Sequence, residues 1–185
     1  MIKDLLREFM QLVANEQVEV YNEFSFQHEL GIFLRNRLTE YKVEFERNTK
    51  FFGIDGLKKH EIDIVVYNKI SKFAIELKYP QNGQYPEQMF SFVKDIAFME
   101  QLKNNGFKNC YSLTMVNDKN FYSGKKTDGI YNYFRNGAVL SGEIYKPTGN
   151  IKESVILNGC YNIIWENKSD NMKYYIVDVG ENFYV

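Results

Sequence analysis

Two short segments rich in β-branched and aromatic residues constrain the fold of this chain most strongly. The first runs from His60 to Tyr67 and the second from Phe73 to Tyr79. Residues 68–71 between them form a polar break that is typical of a tight connection. The simplest structure for this pair of segments is a β-hairpin.

A symmetric turn, with residues 69 and 70 as its loop, would fix the register of this hairpin. It places Asp63 opposite Glu76 and Glu61 opposite Lys78. Facing carboxylates have Cβ atoms roughly 5 Å apart and repel each other unless something offsets their charge. The register therefore predicts a cation beside Asp63 and Glu76, although a slip by one residue would send every side chain of one strand to the opposite face.

The two-residue period of a strand separates the charged and apolar side chains of the hairpin. Asp63, Glu76 and Lys78 share one face, which is the candidate site. A plainer interpretation stays open, in which these charges form the solvated face of an antiparallel strand. The other face is expected to join the core and carries Ile62, Ile64, Val66, Ile75 and Leu77.

The charged residues also form a short motif: Asp63, twelve intervening residues, and then Glu76-Leu77-Lys78. This motif resembles the core of the PD-(D/E)XK nuclease superfamily, which includes restriction enzymes and repair nucleases. Ile62 stands where the name of the motif has proline. The resemblance implies that Asp63 and Glu76 bind Mg²⁺ or Mn²⁺ and that Lys78 assists the attacking water or the phosphate.

Three oxygen ligands are expected for the metal: the carboxylates of Asp63 and Glu76 and the main-chain carbonyl of Leu77. Oxygen-only ligands suit a hard cation. A bound metal would polarise the phosphate and lower the pKa of a water, while Lys78 would orient that water or stabilise the developing charge.

Glu29 is a further candidate, on a helix predicted from about Ser25 to Glu40 with Ser25 as its N-cap. A helical wheel places Glu29 about 60° from Phe26, at the edge of the apolar stripe, where it would point toward the hairpin. PD-(D/E)XK nucleases often have a glutamate in this first core helix. A surface position for Glu29, paired with a neighbour, stays open.

The superfamily core is a helix, three strands, a second helix and a fourth strand, and it can be fitted to residues 20–118. The predicted elements include a strand at 45–52, a helix that Pro86 opens, and a strand at 109–116 parallel to the third strand. The fold class is then α/β, with a restriction endonuclease-like core and a mixed central sheet flanked by helices. Residues 119–185 are predicted to be a β-rich extension packed on this core within a single domain, with strands at 154–157, 161–165 and 173–177.

Composition limits where a nucleic acid can bind. The net charge of −1 lacks the basic signature of a non-specific nucleic-acid binder, so DNA contacts must be local. Residues 117–138, which mix lysine and arginine with tyrosine, are a candidate surface. We expect Cys110 and Cys160 to be reduced thiols in the core, with a single disulfide between them as the alternative. No apolar run approaches the about 20 residues of a membrane span, so we expect a cytoplasmic protein without a membrane partner.

The leading hypothesis is a Mg²⁺-dependent deoxyribonuclease. A catalytically inactive module on the same fold, which binds nucleic acid or a protein partner, is the main alternative. A second alternative is a globular domain in which the motif occurs by coincidence. Restriction enzymes of the superfamily often dimerise, so a homodimer stays open, although the sequence identifies no interface.

Overall fold

A computed structural model describes residues 1–149, 153–167 and 172–180 of the 185-residue chain. Helices flank a six-stranded sheet with strand order β1-β2-β3-β4-β8-β7, and β5 and β6 form a separate two-stranded ribbon. The helices are α1 (Ile2–Ala14), α2 (Glu23–Arg37), α3 (Tyr85–Asn104) and α4 (Ile130–Arg135). The strands are β1 (Lys42–Asn48), β2 (Glu61–Tyr67), β3 (Lys72–Lys78), β4 (Asn109–Val116), β5 (Leu140–Tyr145), β6 (Ser154–Tyr161), β7 (Glu166–Asn167) and β8 (Lys173–Asp178).

The predicted hairpin is confirmed in its turn and in its register up to the candidate site. The Asn68 amide donates to the Ser71 carbonyl at 2.9 Å, and Val65 lies opposite Ala74. β1 pairs antiparallel with β2, which completes the expected meander. After the α3 crossover, β4 pairs parallel with β3, as a helical crossover requires.

Both faces of the sheet are buried, each in its own apolar cluster. Ile64 and Ile75 pack in one cluster with residues of α1 and α2. Val65 and Ala74 pack in the other with residues of α3. Ile62 belongs to the α3 cluster, so its expected place beside Ile64 is wrong. Ile62 lies beyond the last pair of the β2–β3 ladder, which is Ile64 with Ile75.

The N-cap of helix α2 lies three residues before the predicted one, Ser25. Asn22 is the N-cap, since its side chain accepts from the Ser25 amide at 2.7 Å while the Ser25 hydroxyl accepts from the Asn22 amide at 3.1 Å. The helix ends at Arg37, short of the predicted Glu40. The predicted strand at 45–52 is also shifted, because β1 ends at Asn48 and a 3₁₀ turn occupies Thr49–Phe52.

Helix α3 lies between the main sheet and the β5–β6 ribbon, and one buried carboxylate links it to the ribbon. Glu100 accepts from the Gly159 amide at 2.7 Å and from the Tyr161 hydroxyl at 2.8 Å. It also accepts from the Asn158 amide at 3.0 Å and from its side-chain nitrogen at 3.2 Å. Both β3 and β4 contact the same helix. The position of α3, which carries Asp95, is therefore fixed from two sides.

The C-terminal part completes the central sheet. β8 pairs antiparallel with β4, and β7 pairs with β8. The predicted strand at 161–165 is wrong beyond Tyr161, where β6 ends, and Trp165 donates its indole N–H to the Phe134 carbonyl at 2.7 Å.

Both cysteines are free thiols. Cys110 is buried as expected, but Cys160 is exposed. Its expected burial fails because it alternates along β6 with the inward-facing Tyr161. Within the described residues, no helix combines the length and the apolar character that a membrane span needs.

Candidate functional site

Strands β2 and β3 separate at Asp63, and two side chains replace the ladder there. The last paired residues are Ile64 and Ile75. Beyond them, the Leu77 amide donates to Asp63 Oδ2 at 2.8 Å, and the Asp63 amide donates to Glu76 Oε1 at 3.4 Å. The carboxylate of each strand therefore accepts from the backbone of the other. This arrangement brings Asp63 and Glu76 together, as the register predicts.

A lysine ammonium lies among the carboxylates at this split. Lys59 Nζ forms an ion pair and a hydrogen bond with Glu76 Oε2. The same nitrogen is 3.4 Å from Asp95 Oδ1 and 4.0 Å from Asp63 Oδ1. Because the Glu76 side chain is fully buried, this contact supplies the positive charge that the facing acids require.

Lys78 lies on the other side of Asp95. Its ammonium is 3.5 Å from Asp95 Oδ2 and 3.5 Å from Glu23 Oε1, and it donates to the Leu77 carbonyl at 3.1 Å. The Lys78 side chain retains 17% exposure, so part of it is accessible to solvent. Asp95 thus holds both lysines in place.

Burial and neighbouring charges displace the pKa values of the acidic groups. Burial raises the pKa of Glu76 well above its usual value, the negative charges of Asp63 and Asp95 raise it further, and Lys59 offsets part of the rise. Burial also raises the pKa of Asp95, against the opposing effect of Lys78 and Lys59.

The two lysines remain protonated at neutral pH. Burial by itself would lower the pKa of Lys59, but Glu76, Asp95 and Asp63 outweigh it and raise the pKa above its usual value. Burial likewise opposes a rise in the pKa of Lys78, and the surrounding carboxylates, chiefly Asp95, again prevail. Lys78 is therefore suited to stabilise negative charge and not to accept a proton.

Helix α2 contributes Glu23 and Gln27 to the same region. The Gln27 side-chain amide donates to the Asp63 carbonyl at 2.7 Å and to Glu46 Oε1 at 2.5 Å. Glu46 has a positive φ of 48°, which is uncommon for a residue with a side chain. An open cavity of about 190 Å³ lies here, lined by Glu23, Phe24, Gln27, Glu46, Asp63 and Leu77.

Glu29 is not brought to this site, which corrects the expectation from the helical wheel. It lies about 200° around the helix from Gln27, on the far side. Its carboxylate is 3.5 Å from His28 Nδ1, and its side chain is 39% exposed. The helical wheel takes Phe26 as the centre of the face toward the hairpin. In the structure, Glu23 and Gln27, one turn apart, are the α2 residues that contact the separated strands.

Lys59 and Asp95 are absent from the residues expected at the site. The sequence pattern could have indicated Asp95, since it lies on the apolar stripe of α3 formed by Phe92 and Met99 and is as buried as its apolar neighbours. An acid on such a stripe needs a partner. No sequence pattern indicated Lys59, because it lies in an irregular loop just before β2.

The acceptor atoms at the split are all oxygens, which are the ligands that a hard divalent cation prefers. Asp63, Glu76 and the Leu77 carbonyl supply only oxygen, and Asp95 Oδ2 is buried without a hydrogen bond. Among the residues that the structure describes, no three His, Cys, Asp or Glu side chains are grouped to hold a metal ion. The Lys59 ammonium contacts the carboxylates of Asp63 and Glu76, and the Lys78 ammonium donates to the Leu77 carbonyl.

The basic and aromatic segment at 117–138 is used partly for packing. The Arg135 guanidinium donates to the carbonyls of Lys126 and Asn120 and lies 4.0 Å from the centre of the Tyr131 ring. Lys125 and Lys126 are exposed. The segment therefore offers fewer free cations to a phosphate backbone than its composition indicates.

No protein-family model, curated protein or solved structure matches this chain. The resemblance to PD-(D/E)XK nucleases therefore stays a prediction from the sequence motif.

Proposed function

We propose that this chain is a divalent-metal-dependent phosphodiesterase that acts on nucleic acid, with DNA as its substrate. One observation carries the proposal. The carboxylates of Asp63 and Glu76, on two strands that separate there, both face the Lys59 ammonium, and a second lysine, Lys78, pairs with Asp95 beside them.

The order of elements supports a restriction endonuclease-like core. Helix α2 precedes the antiparallel meander β1-β2-β3, and α3 then crosses to β4, which is parallel to β3. This order agrees with the core that the motif implies for residues 20–118. β7 and β8 then extend the sheet beyond β4.

Asp63, Glu76 and the Leu77 carbonyl would hold Mg²⁺ or Mn²⁺. When bound, the cation supplies Lewis-acid polarisation of a phosphate oxygen and lowers the pKa of a water. Gln27 orients the main chain of Asp63 through its 2.7 Å hydrogen bond. Glu23 accepts from the Tyr79 amide at 3.0 Å and so holds the end of β3 against α2.

Lys78 would supply positive charge to the phosphate as negative charge develops on it. Its raised pKa keeps it protonated, and its contact with Asp95 fixes the position of its ammonium. Preorganised charge of this kind is typically worth a factor of about 10² to 10³ in rate.

A second candidate function is a non-catalytic module that binds nucleic acid or a protein partner on the same fold. The ion pair between Lys59 and Glu76 favours this alternative, because a built-in cation satisfies the acidic pair without metal. Metal binding without turnover, or no metal binding at all, would support it.

The test is cleavage of linear, circular, single-stranded and branched DNA with Mg²⁺ or Mn²⁺, against a matched reaction with chelator. Glu76→Ala should lose metal binding and cleavage. Lys78→Met should keep metal binding and its fold but lose at least about 10²-fold in rate. Lys69→Met, at an exposed lysine on the turn of the same hairpin, is the control and should cleave normally. Cleavage by Lys78→Met at the wild-type rate would contradict the role given to Lys78.

A further inference from the structure

We infer that Lys59 is a displaceable internal cation that competes with the divalent metal for Asp63 and Glu76, so that metal binding releases the loop at residues 53–60. The inference rests on the proposed function, because it concerns the same site. It gives that site two states, one closed by the Lys59 ammonium and one open to metal.

The Lys59 ammonium contacts the same carboxylates that a bound metal cation would contact. Its nitrogen binds Glu76 Oε2 and lies within 4.0 Å of carboxylate oxygens from Asp95 and Asp63. These oxygens come from β2, β3 and α3, so the ammonium lies where three separate elements meet. A metal bound by Asp63 and Glu76 would repel an ammonium held this close.

Two glycines lie in the loop that carries Lys59. Ile54 and the partly buried Leu57 pack against the α3 cluster, whereas Gly53 and Gly56 adopt positive φ angles and have open space around them. Lys59 itself is 35% exposed although its partner Glu76 has no exposure. The ammonium can therefore leave toward solvent without crossing the core.

The charges of the cluster favour exchange of the lysine for a divalent ion. Glu23, Asp63, Glu76 and Asp95 face two ammonium groups, which leaves an excess of negative charge when all are ionised. Lys78 keeps its contacts with Asp95 and Glu23 after Lys59 withdraws. One divalent cation in place of the Lys59 ammonium reduces the excess.

The test measures Mn²⁺ binding by calorimetry to the wild-type chain and to Lys59→Met, which keeps the length of the side chain and removes its charge. If Lys59 closes the site nine-tenths of the time or more, the variant binds Mn²⁺ about tenfold or more tightly. Lys58→Met, at the exposed neighbour of Lys59, is the matched control and should bind like the wild type. In the wild type, Mn²⁺ should also speed amide hydrogen exchange in residues 55–59.

Two results would overturn the inference, and they differ in their consequence for the proposed function. Equal Mn²⁺ affinity in the wild type and Lys59→Met, with unchanged exchange in the loop, would mean that Lys59 does not compete, and the metal site would stand. Absence of Mn²⁺ binding in both proteins would remove the metal site and the inference together.

Discussion

Replacing Glu100 by alanine tests the packing that holds α3, and with it Asp95, in position. The Glu100 carboxylate accepts four hydrogen bonds from the β6 strand. Two of the donors, the Gly159 amide and the Tyr161 hydroxyl, belong to buried residues. Both donors of Asn158 belong to an exposed residue and can bind water instead.

The magnitude follows from the two buried donors. A buried polar group that loses its partner costs about 1–3 kcal/mol, so Glu100→Ala should lower the free energy of unfolding by about 4 kcal/mol. For a chain of this length, that loss lowers the melting temperature by roughly 8–16 °C. Tyr161→Phe removes one donor together with its need for a partner and should cost only about 1 kcal/mol.

Urea denaturation of the wild type, Glu100→Ala, Tyr161→Phe and the double variant measures these differences. Tyr161→Phe should cost less in the Glu100→Ala background than alone, because the hydroxyl then has no partner to lose. A cost below about 1 kcal/mol for Glu100→Ala would refute the account of this contact.

Two further predictions concern the site and the helix beside it. Burial raises the pKa of Glu76 above its usual 4.5, so the stability that protonated Glu76 contributes is present below pH 4.5 and is lost as pH rises through the folded-state pKa. Without divalent cations, the free energy of unfolding of Glu76→Gln should therefore rise relative to that of the wild type as pH rises, by at most about 1.4 kcal/mol per pH unit. A difference between the two proteins that stays constant in urea denaturation from pH 4 to 8 would contradict this. Gly31→Ala should cost about 1–3 kcal/mol, because the new Cβ would lie 2.0 Å from the Phe45 ring and push α2 from β1; an unchanged urea midpoint would count against this close packing.

The hairpin was predictable because two independent patterns agree on its register. The polar break at 68–71 fixes a symmetric turn, and the alternation of side chains in each strand fits the same pairing. The meeting of Asp63 and Glu76 follows from that register alone. The separation of the strands at Asp63 was not predictable, because it depends on side-chain hydrogen bonds that alternation does not describe.

The parts of the site outside the hairpin depend on tertiary packing. Helix α2 carries apolar residues around much of its surface, so the wheel could not tell which edge faces the hairpin. That ambiguity explains why the wheel indicates Glu29, although Gln27 is the residue that contacts β2. Ile164, in a run rich in β-branched and aromatic residues, lies outside any strand and is exposed, because strand propensity reflects the packing partners available to a segment.

The central claim is that the carboxylates at the split of β2 and β3 hold a divalent cation. Anomalous diffraction from a crystal grown with Mn²⁺ tests it most directly. We expect a peak within roughly 2.0–2.6 Å of oxygen atoms of Asp63, Glu76 and the Leu77 carbonyl, with the Lys59 ammonium withdrawn. A structure at saturating Mn²⁺ with no peak there, and with Lys59 still paired to Glu76, would contradict it.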